Sequence, residues 1–262
     1  MDEATRGRSA VDAAELERRV KDMYTRVALA PDGEFHFEMG RALARRLGYT
    51  DAELDGVPAE AIRSFAGVGY YFDLAALRPG ERVVDLGSGS GMDTFIAAQK
   101  VGADGQVTGI DMTDAQLAKA TRLSDAFPVG GVRFSQGFID ATGLPAASWD
   151  AVISNGVINL SPDKPAVFRE AARLLRPGGR LAIADIVTDV PLPDNVVCNA
   201  TLWAACIGGA MQREAFVEAI ELAGFAVTLM KANDAYRFLS NSAQGATRTY
   251  GVRSVSLLAI RN

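Results

Sequence analysis

Alternating strand and helix patterns from residue 81 onward predict an α/β fold: a doubly wound, mostly parallel sheet of seven strands behind an N-terminal helical cap. Two observations carry this. Apolar runs of strand length recur near 82–86, 106–110, 131–135, 149–154, 180–187, 224–230 and 252–260, with helical patterns between them. The first run passes directly into Gly87-Ser88-Gly89-Ser90-Gly91, a strand-to-helix turn.

The cap comes first. Val11, Leu16, Val20, Met23 and Val27 form an apolar stripe over residues 10–29, which Pro31-Asp32-Gly33 ends. A second helix is predicted over 38–48, stopping at Gly48. Thr50-Asp51-Ala52-Glu53 has the form of a capping box that starts a short third helix. No strand pattern precedes residue 81, so 1–76 read as a lid on the substrate side and 77–262 as the core. Within the core, Thr113-x-x-Gln116 predicts another box, and Ser161-Pro162-Asp163 puts proline at the first helical position. Arg176-Pro177-Gly178-Gly179 stops that helix, and two more are predicted over 194–206 and 212–223. The last strand, 254–260, is apolar enough for burial.

The turn after the first strand carries chemistry. Glycines let backbone approach a ligand where a Cβ would collide. About 20 residues on, the second strand ends in Asp111, placed to accept hydrogen bonds from ribose hydroxyls. A dinucleotide site favours G-x-G-x-x-G, with a helix N-terminus aimed at the pyrophosphate. Here the order is G-x-G-x-G, no cation stands near, and Asp85 and Asp93 would repel a phosphate. A ligand with adenine, ribose and a cationic end fits better. S-adenosylmethionine has both an ammonium and a sulfonium.

Composition narrows the partners. The chain has 262 residues, 48% hydrophobic and 23% charged, with net charge −5 and no basic cluster, which argues against nucleic acid. No apolar run reaches the roughly 18–20 residues of a membrane span, and the charged N-terminus has no secretory core, so a cytoplasmic protein is expected. Two cysteines and one histidine leave a structural metal site without enough soft ligands. The sequence carries no signal for oligomeric state.

Asp85 through Asp93, Gly109-Ile110-Asp111-Met112-Thr113, Ser154-Asn155-Gly156-Val157 with the segment up to Lys164, and Arg176 through Leu181 together resemble class I S-adenosylmethionine-dependent methyltransferases. They are more narrowly similar to the arsenite methyltransferase branch, as is Leu202 through Ala210. The resemblance implies a Rossmann-like fold with a seven-stranded sheet. It breaks at the acceptor. Arsenite methyltransferases hold trivalent arsenic with three thiolates, a soft-ligand requirement. Where the branch has Gly-Cys-Gly this chain has Gly67-Val68-Gly69, and where it has Ser-Asn-Cys-Val it has Ser154-Asn155-Gly156-Val157; only Cys206 remains. Cys198 is eight residues from Cys206, about 12 Å along a helix, too far to share one ion. The sequence therefore argues for another acceptor.

The resemblance also assigns roles. Gly87, Ser88, Gly89 and Gly91 would pack on the methionine part and ribose, with Asp93 in the first turn of the following helix. Asp85 would orient the ammonium and Asp111 the ribose. Met112, Phe138, Ile139 and Asp140 would surround the adenine; Asn155 ends the fourth strand, and Tyr24 reaches the cofactor from the cap. His36, between aromatic residues, is the candidate base. Tyr70, Tyr71, Trp203 and Cys206 are candidates for the acceptor pocket. The expected reaction is in-line methyl transfer to O, N or C of a small-molecule metabolite, in secondary metabolism on the evidence of an aromatic-bordered cap. Three alternatives stay open: a cofactor-binding protein without methyl transfer, a metalloid methyltransferase or binder using Cys206, and, more weakly, a nicotinamide-dependent dehydrogenase.

Overall fold

The computed structural model describes residues 12–127, 130–197 and 208–262. Its core is one sheet of strand order β3-β2-β1-β4-β5-β8-β7. The strands are β1 (Arg82–Leu86), β2 (Gln106–Asp111), β3 (Val132–Gln136), β4 (Trp149–Asn155), β5 (Leu175–Thr188), β7 (Phe225–Ala232) and β8 (Arg253–Arg261). β1 to β5 are parallel, and β8 lies antiparallel between β5 and β7. The expected strands stand within a few residues of their predicted bounds, apart from β5, which starts earlier. An eighth was not foreseen: β6 (Met211–Gln212) pairs parallel with the end of β5. Two residues carry no readable period, which is why the sequence hides it.

The sheet is buried on both faces because its apolar residues alternate between two cores. Val83, Val107, Ala151, Ile153, Ala182 and Ala184 face one side. Val84, Ile110, Val152, Leu181, Ile183 and Leu257 face the other. The second side is covered by α8 (Lys164–Leu174) and α10 (Arg213–Leu222), where Phe168 meets Phe216 edge-on at 5.4 Å. The first side is covered by α6 (Met92–Val101) and, through Leu123, by α7 (Asp114–Ala126).

The cap packs into that first core. It comprises α1 (Ala13–Leu29), α2 (Gly40–Leu47), α3 (Asp51–Asp55), α4 (Ala59–Arg63) and α5 (Phe72–Ala75). Leu16, Val20, Leu43, Leu54, Ile62 and Phe72 share one apolar cluster with Val83 and Phe95 of the core. The Thr50 box forms: the Thr50 Oγ accepts from Glu53 N at 3.2 Å while Glu53 Oε2 accepts from Thr50 N at 2.9 Å. Gly48 ends α2 in the left-handed conformation.

Two capping expectations differ. Thr113 makes no side-chain cap; Gln116 instead accepts from Ser90 Oγ at 2.5 Å and donates to the Tyr24 carbonyl at 3.1 Å, tying the glycine loop to α1. Pro162 lies outside α8: Asp163 is its N-cap, accepting from Ala166 N at 2.9 Å, and Pro165 sits in the first turn. Both α9 (Asp194–Val197) and α11 (Asn241–Tyr250) are helical; the rest of the helix expected over 194–206 falls outside the described residues, and α11 was not anticipated. Among the described residues no helix is long and apolar enough to cross a membrane.

Candidate active site

Strand order reverses between β1 and β4, with β2 and β3 on one side and β5 on the other. The crevice at the carboxyl ends of these two strands is where open α/β sheets bind ligands. A cavity of about 380 Å³ opens there, bounded by the ends of β1, β2 and β4 and closed over by the cap.

The glycine loop forms its floor. Gly87 N and Ser88 N both donate to the Ile110 carbonyl, at 2.8 and 2.9 Å, which pins the loop to the end of β2. Gly87 has φ +75°, and a Cβ there would stand 2.5 Å from the Val157 methyls, so the turn admits only glycine. Asp111 is held on both oxygens by backbone: Oδ2 accepts from Gly89 N at 2.9 Å and Oδ1 from Thr113 N at 2.8 Å. Those bonds fix its orientation and leave lone pairs for ligand hydroxyls.

The cavity is acidic. Asp85 is buried at the end of β1, accepts from Thr94 Oγ at 2.6 Å, and is pushed up to about 8 by burial, with the neighbouring Asp93 adding to the rise. Burial also raises Asp111, against the pull of its backbone donors. Asp93 is raised by burial too, although Asn155, Tyr49 and Tyr71 all donate to it and favour its charged form. Three carboxyl groups around one cavity, two of them buried, call for a cationic ligand. This fits S-adenosylmethionine, with its ammonium and sulfonium.

Asn155 joins this cluster to the cap. Its Oδ1 accepts from Val68 N at 2.7 Å, and its Nδ2 reaches the Gly69 carbonyl and Asp93 Oδ2, each at 3.0 Å. The link holds the segment 65–69 against the end of β4. Phe65 and Gly67 of that segment line the cavity. Met112, Phe138, Ile139 and Asp140 also line it, and Lys21 of α1 sits 5.2 Å above the Phe138 ring. α1 roofs the site with Leu16, Val20 and Tyr24.

Of the residues singled out in the sequence, Tyr24, Asp85, Gly87, Ser88, Gly89, Asp93, Asp111, Met112, Phe138, Ile139, Asp140 and Asn155 converge on this cavity. Four do not. Gly91 is the N-cap of α6, and a Cβ there would meet the Phe134 ring at 2.6 Å, so its glycine serves packing. Tyr71 is fully buried and donates to Asp93; Tyr70 donates to Glu53 at 2.9 Å. His36 packs edge-on against Phe37 at 4.7 Å and is not among the residues that line the cavity. Trp203, Cys206 and Cys198 lie outside the described residues. Ser64, Phe65, Leu160, Ser161 and Pro162 line the cavity unforeseen, since none sits in a glycine or acid motif. Among the described residues no cluster of His, Cys, Asp and Glu could hold a metal ion.

Comparison with known proteins agrees with this geometry. Residues 77–233 match a family model described as a methyltransferase domain. The arsenite methyltransferase of Halobacterium salinarum is 39% identical over 199 residues, covering 76% of this chain and 51% of the relative. The human arsenite methyltransferase is 42% identical over 138 residues, covering 49% of this chain and 37% of the relative. The chain thus spans about half the length, or less, of these curated relatives. The crystal structure of CrArsM, an arsenic(III) S-adenosylmethionine methyltransferase from Chlamydomonas reinhardtii, superposes with TM-score 0.67 at 32% identity, over 86% of this chain and 74% of that one. A geranyl diphosphate C-methyltransferase from Streptomyces coelicolor, in complex with S-adenosylhomocysteine, shares the fold at TM-score 0.65 and 16% identity, over 94% and 98%. The chain belongs to the methyltransferase-domain family, in its S-adenosylmethionine-dependent class, and is similar to the arsenite methyltransferases.

Proposed function

We propose that this protein transfers a methyl group from S-adenosylmethionine to an organic small molecule, at oxygen, nitrogen or carbon. One observation carries the choice of acceptor. Positions 68 and 156, which the motif resemblance gives to thiolates in arsenite methyltransferases, are neighbours here: a Cβ on Gly156 would stand 3.1 Å from Val68 Cγ1. A valine side chain and a bare glycine occupy that corner, so it offers trivalent arsenic no soft ligand.

The cofactor supplies an electrophilic methyl group on a sulfonium. The chain's own residues orient and enclose. Asp111, locked by two backbone N–H groups, would take the ribose hydroxyls, and Asp85 the ammonium. Leu16, Val20 and Tyr24 of the cap keep water from the reacting centre. Holding acceptor and cofactor in line can supply several kcal/mol of the barrier, on the order of 7–11 in well-oriented cases. Transfer neutralises the sulfonium charge, so orientation of acceptor and methyl group is the core of the mechanism. The same arrangement suits an acceptor that needs little deprotonation.

A second reading has a specific basis: the 39% and 42% identity to arsenite methyltransferases. One experiment separates the two. Protein and S-adenosylmethionine are incubated with arsenite plus glutathione, and separately with a panel of phenols, amines and carbon acids. Products are read by mass and by S-adenosylhomocysteine release. Methylated organic product without methylated arsenic supports the proposal; methylated arsenic favours the second reading. Cofactor binding without turnover of either class would point to a non-methylating role.

A further inference from the structure

Resting on the methyl-transfer reading, the structure assigns the acceptor a charge class: we infer that it is an uncharged or cationic, mainly apolar molecule without phosphate, sulfate or carboxylate. The described residues lining the cavity include the acidic side chains of Glu17, Asp85, Asp93, Asp111 and Asp140, and no Lys, Arg or His. Beyond those acids, Leu16, Val20, Phe65 and Leu160 give the wall an apolar stretch, and the polar side chains beside it, such as Ser64 and Ser161, are uncharged. An anion placed there would give up its hydration without a counter-charge and would face carboxylates at close range.

The nearest cations are turned away or already engaged. Lys119 Nζ donates to Ser64 Oγ at 2.8 Å and to the Ala28 carbonyl at 3.1 Å, behind the wall. Lys164 is buried behind Ser161, donating to its carbonyl at 2.9 Å, with Asp185 as its electrostatic partner. Lys21, at the mouth, pairs with Glu17 at 2.6 Å and covers the Phe138 ring. Residues 198–207, outside the described set, contain no Lys, Arg or His, and in residues 1–11 only Arg6 and Arg8 are basic.

The test uses the full chain saturated with S-adenosylhomocysteine and four matched probes: 2-naphthol, 2-naphthylmethylamine, 2-naphthoate and 2-naphthyl phosphate. Calorimetry reads each affinity. The expected result is that the alcohol or the amine binds at least about tenfold more tightly than either anion, a difference of about 1.4 kcal/mol. The half-exposed Glu17 gives a second arm, because Glu17→Lys should narrow that gap by raising affinity for the anions. An anion that binds wild type as tightly as the neutral probe overturns the inference. So does the absence of binding by any probe at millimolar concentration while S-adenosylhomocysteine stays bound. Failure of S-adenosylhomocysteine itself to bind overturns the methyl-transfer reading as well, and is seen before any probe is added.

Discussion

The Tyr71 hydroxyl donates to Oδ2 of Asp93 at 2.8 Å, and this contact fastens the cap to the first turn of the helix that follows the glycine loop. Tyr49 donates to the other oxygen of the same carboxylate at 2.7 Å. Two tyrosines from different parts of the cap thus share one buried acid that also lines the cavity. Cap closure and cofactor site are one hydrogen-bonded unit.

Removing one of these donors leaves a buried carboxyl oxygen short of a partner. Tyr71→Phe is expected to cost about 1.5–3 kcal/mol of stability, the range for hydrogen bonds to charged groups, measured by urea denaturation. Loss of less than about 0.5 kcal/mol would show that the link contributes no stability, since ordinary surface changes fall within that range.

Positions 68 and 156 make a sharper probe of acceptor chemistry. Val68→Cys combined with Gly156→Cys places two thiols side by side and removes one of the valine methyl groups that crowd position 156. Phenylarsine oxide, which bridges paired thiols, is expected to form a one-to-one adduct with the double variant and with neither single variant, read by native mass spectrometry. Gly156 has φ +72°, so any side chain there is strained, and a modest fall in melting temperature is expected alongside.

Much of this was legible in the sequence, for identifiable reasons. The strands of the parallel sheet are continuous apolar runs bounded by turn residues, a pattern that survives without an alignment. Asp85, Gly87 and Asp111 are tied to those strands by fixed local spacing, so their convergence could be read directly. The wall formed by Phe65, Leu160 and Pro162 could not be: these residues meet only when the cap folds over the sheet, 86 and more residues apart in contacts such as Asn155 to Gly69. The position of Tyr70 and Tyr71 before the core predicts pocket residues, but Tyr70 donates to Glu53 and the buried Tyr71 stands behind Asp93, donating to it.

Acidity at the cavity has a pH signature. Asp85 is raised from 3.8 to about 8, so the folded state holds a proton that the unfolded chain releases. The stability this contributes is fully present below about 3.8 and is lost as pH rises through about 8. The melting temperature of the ligand-free protein should fall across that window, and Asp85→Asn should flatten the fall. A cationic ligand favours the charged carboxylate, so S-adenosylmethionine affinity should rise over the same window in wild type and less in the variant. A flat profile in wild type would contradict this assignment.

Lys164 and Asp185 form a buried electrostatic pair under the Ser161 wall, and Asp185 also accepts from Ile158 N at 2.9 Å and Asn159 N at 3.2 Å. Asp185→Asn should destabilise by about 1–3 kcal/mol, because it weakens the acceptor for two buried backbone N–H groups and removes a charge that favours the Lys164 ammonium. Adding Lys164→Met should recover part of that loss. Additive effects in this double-mutant cycle would show that the two groups do not interact.

The central claim is a methyltransferase site in which Asp111 holds the ribose of the cofactor. Calorimetric titration of S-adenosylhomocysteine into wild type and Asp111→Ala tests it most directly. Wild type is expected to bind at micromolar concentration and the variant at least about tenfold more weakly, or about 1.4 kcal/mol. Well-folded wild type that binds neither S-adenosylhomocysteine nor S-adenosylmethionine would contradict it.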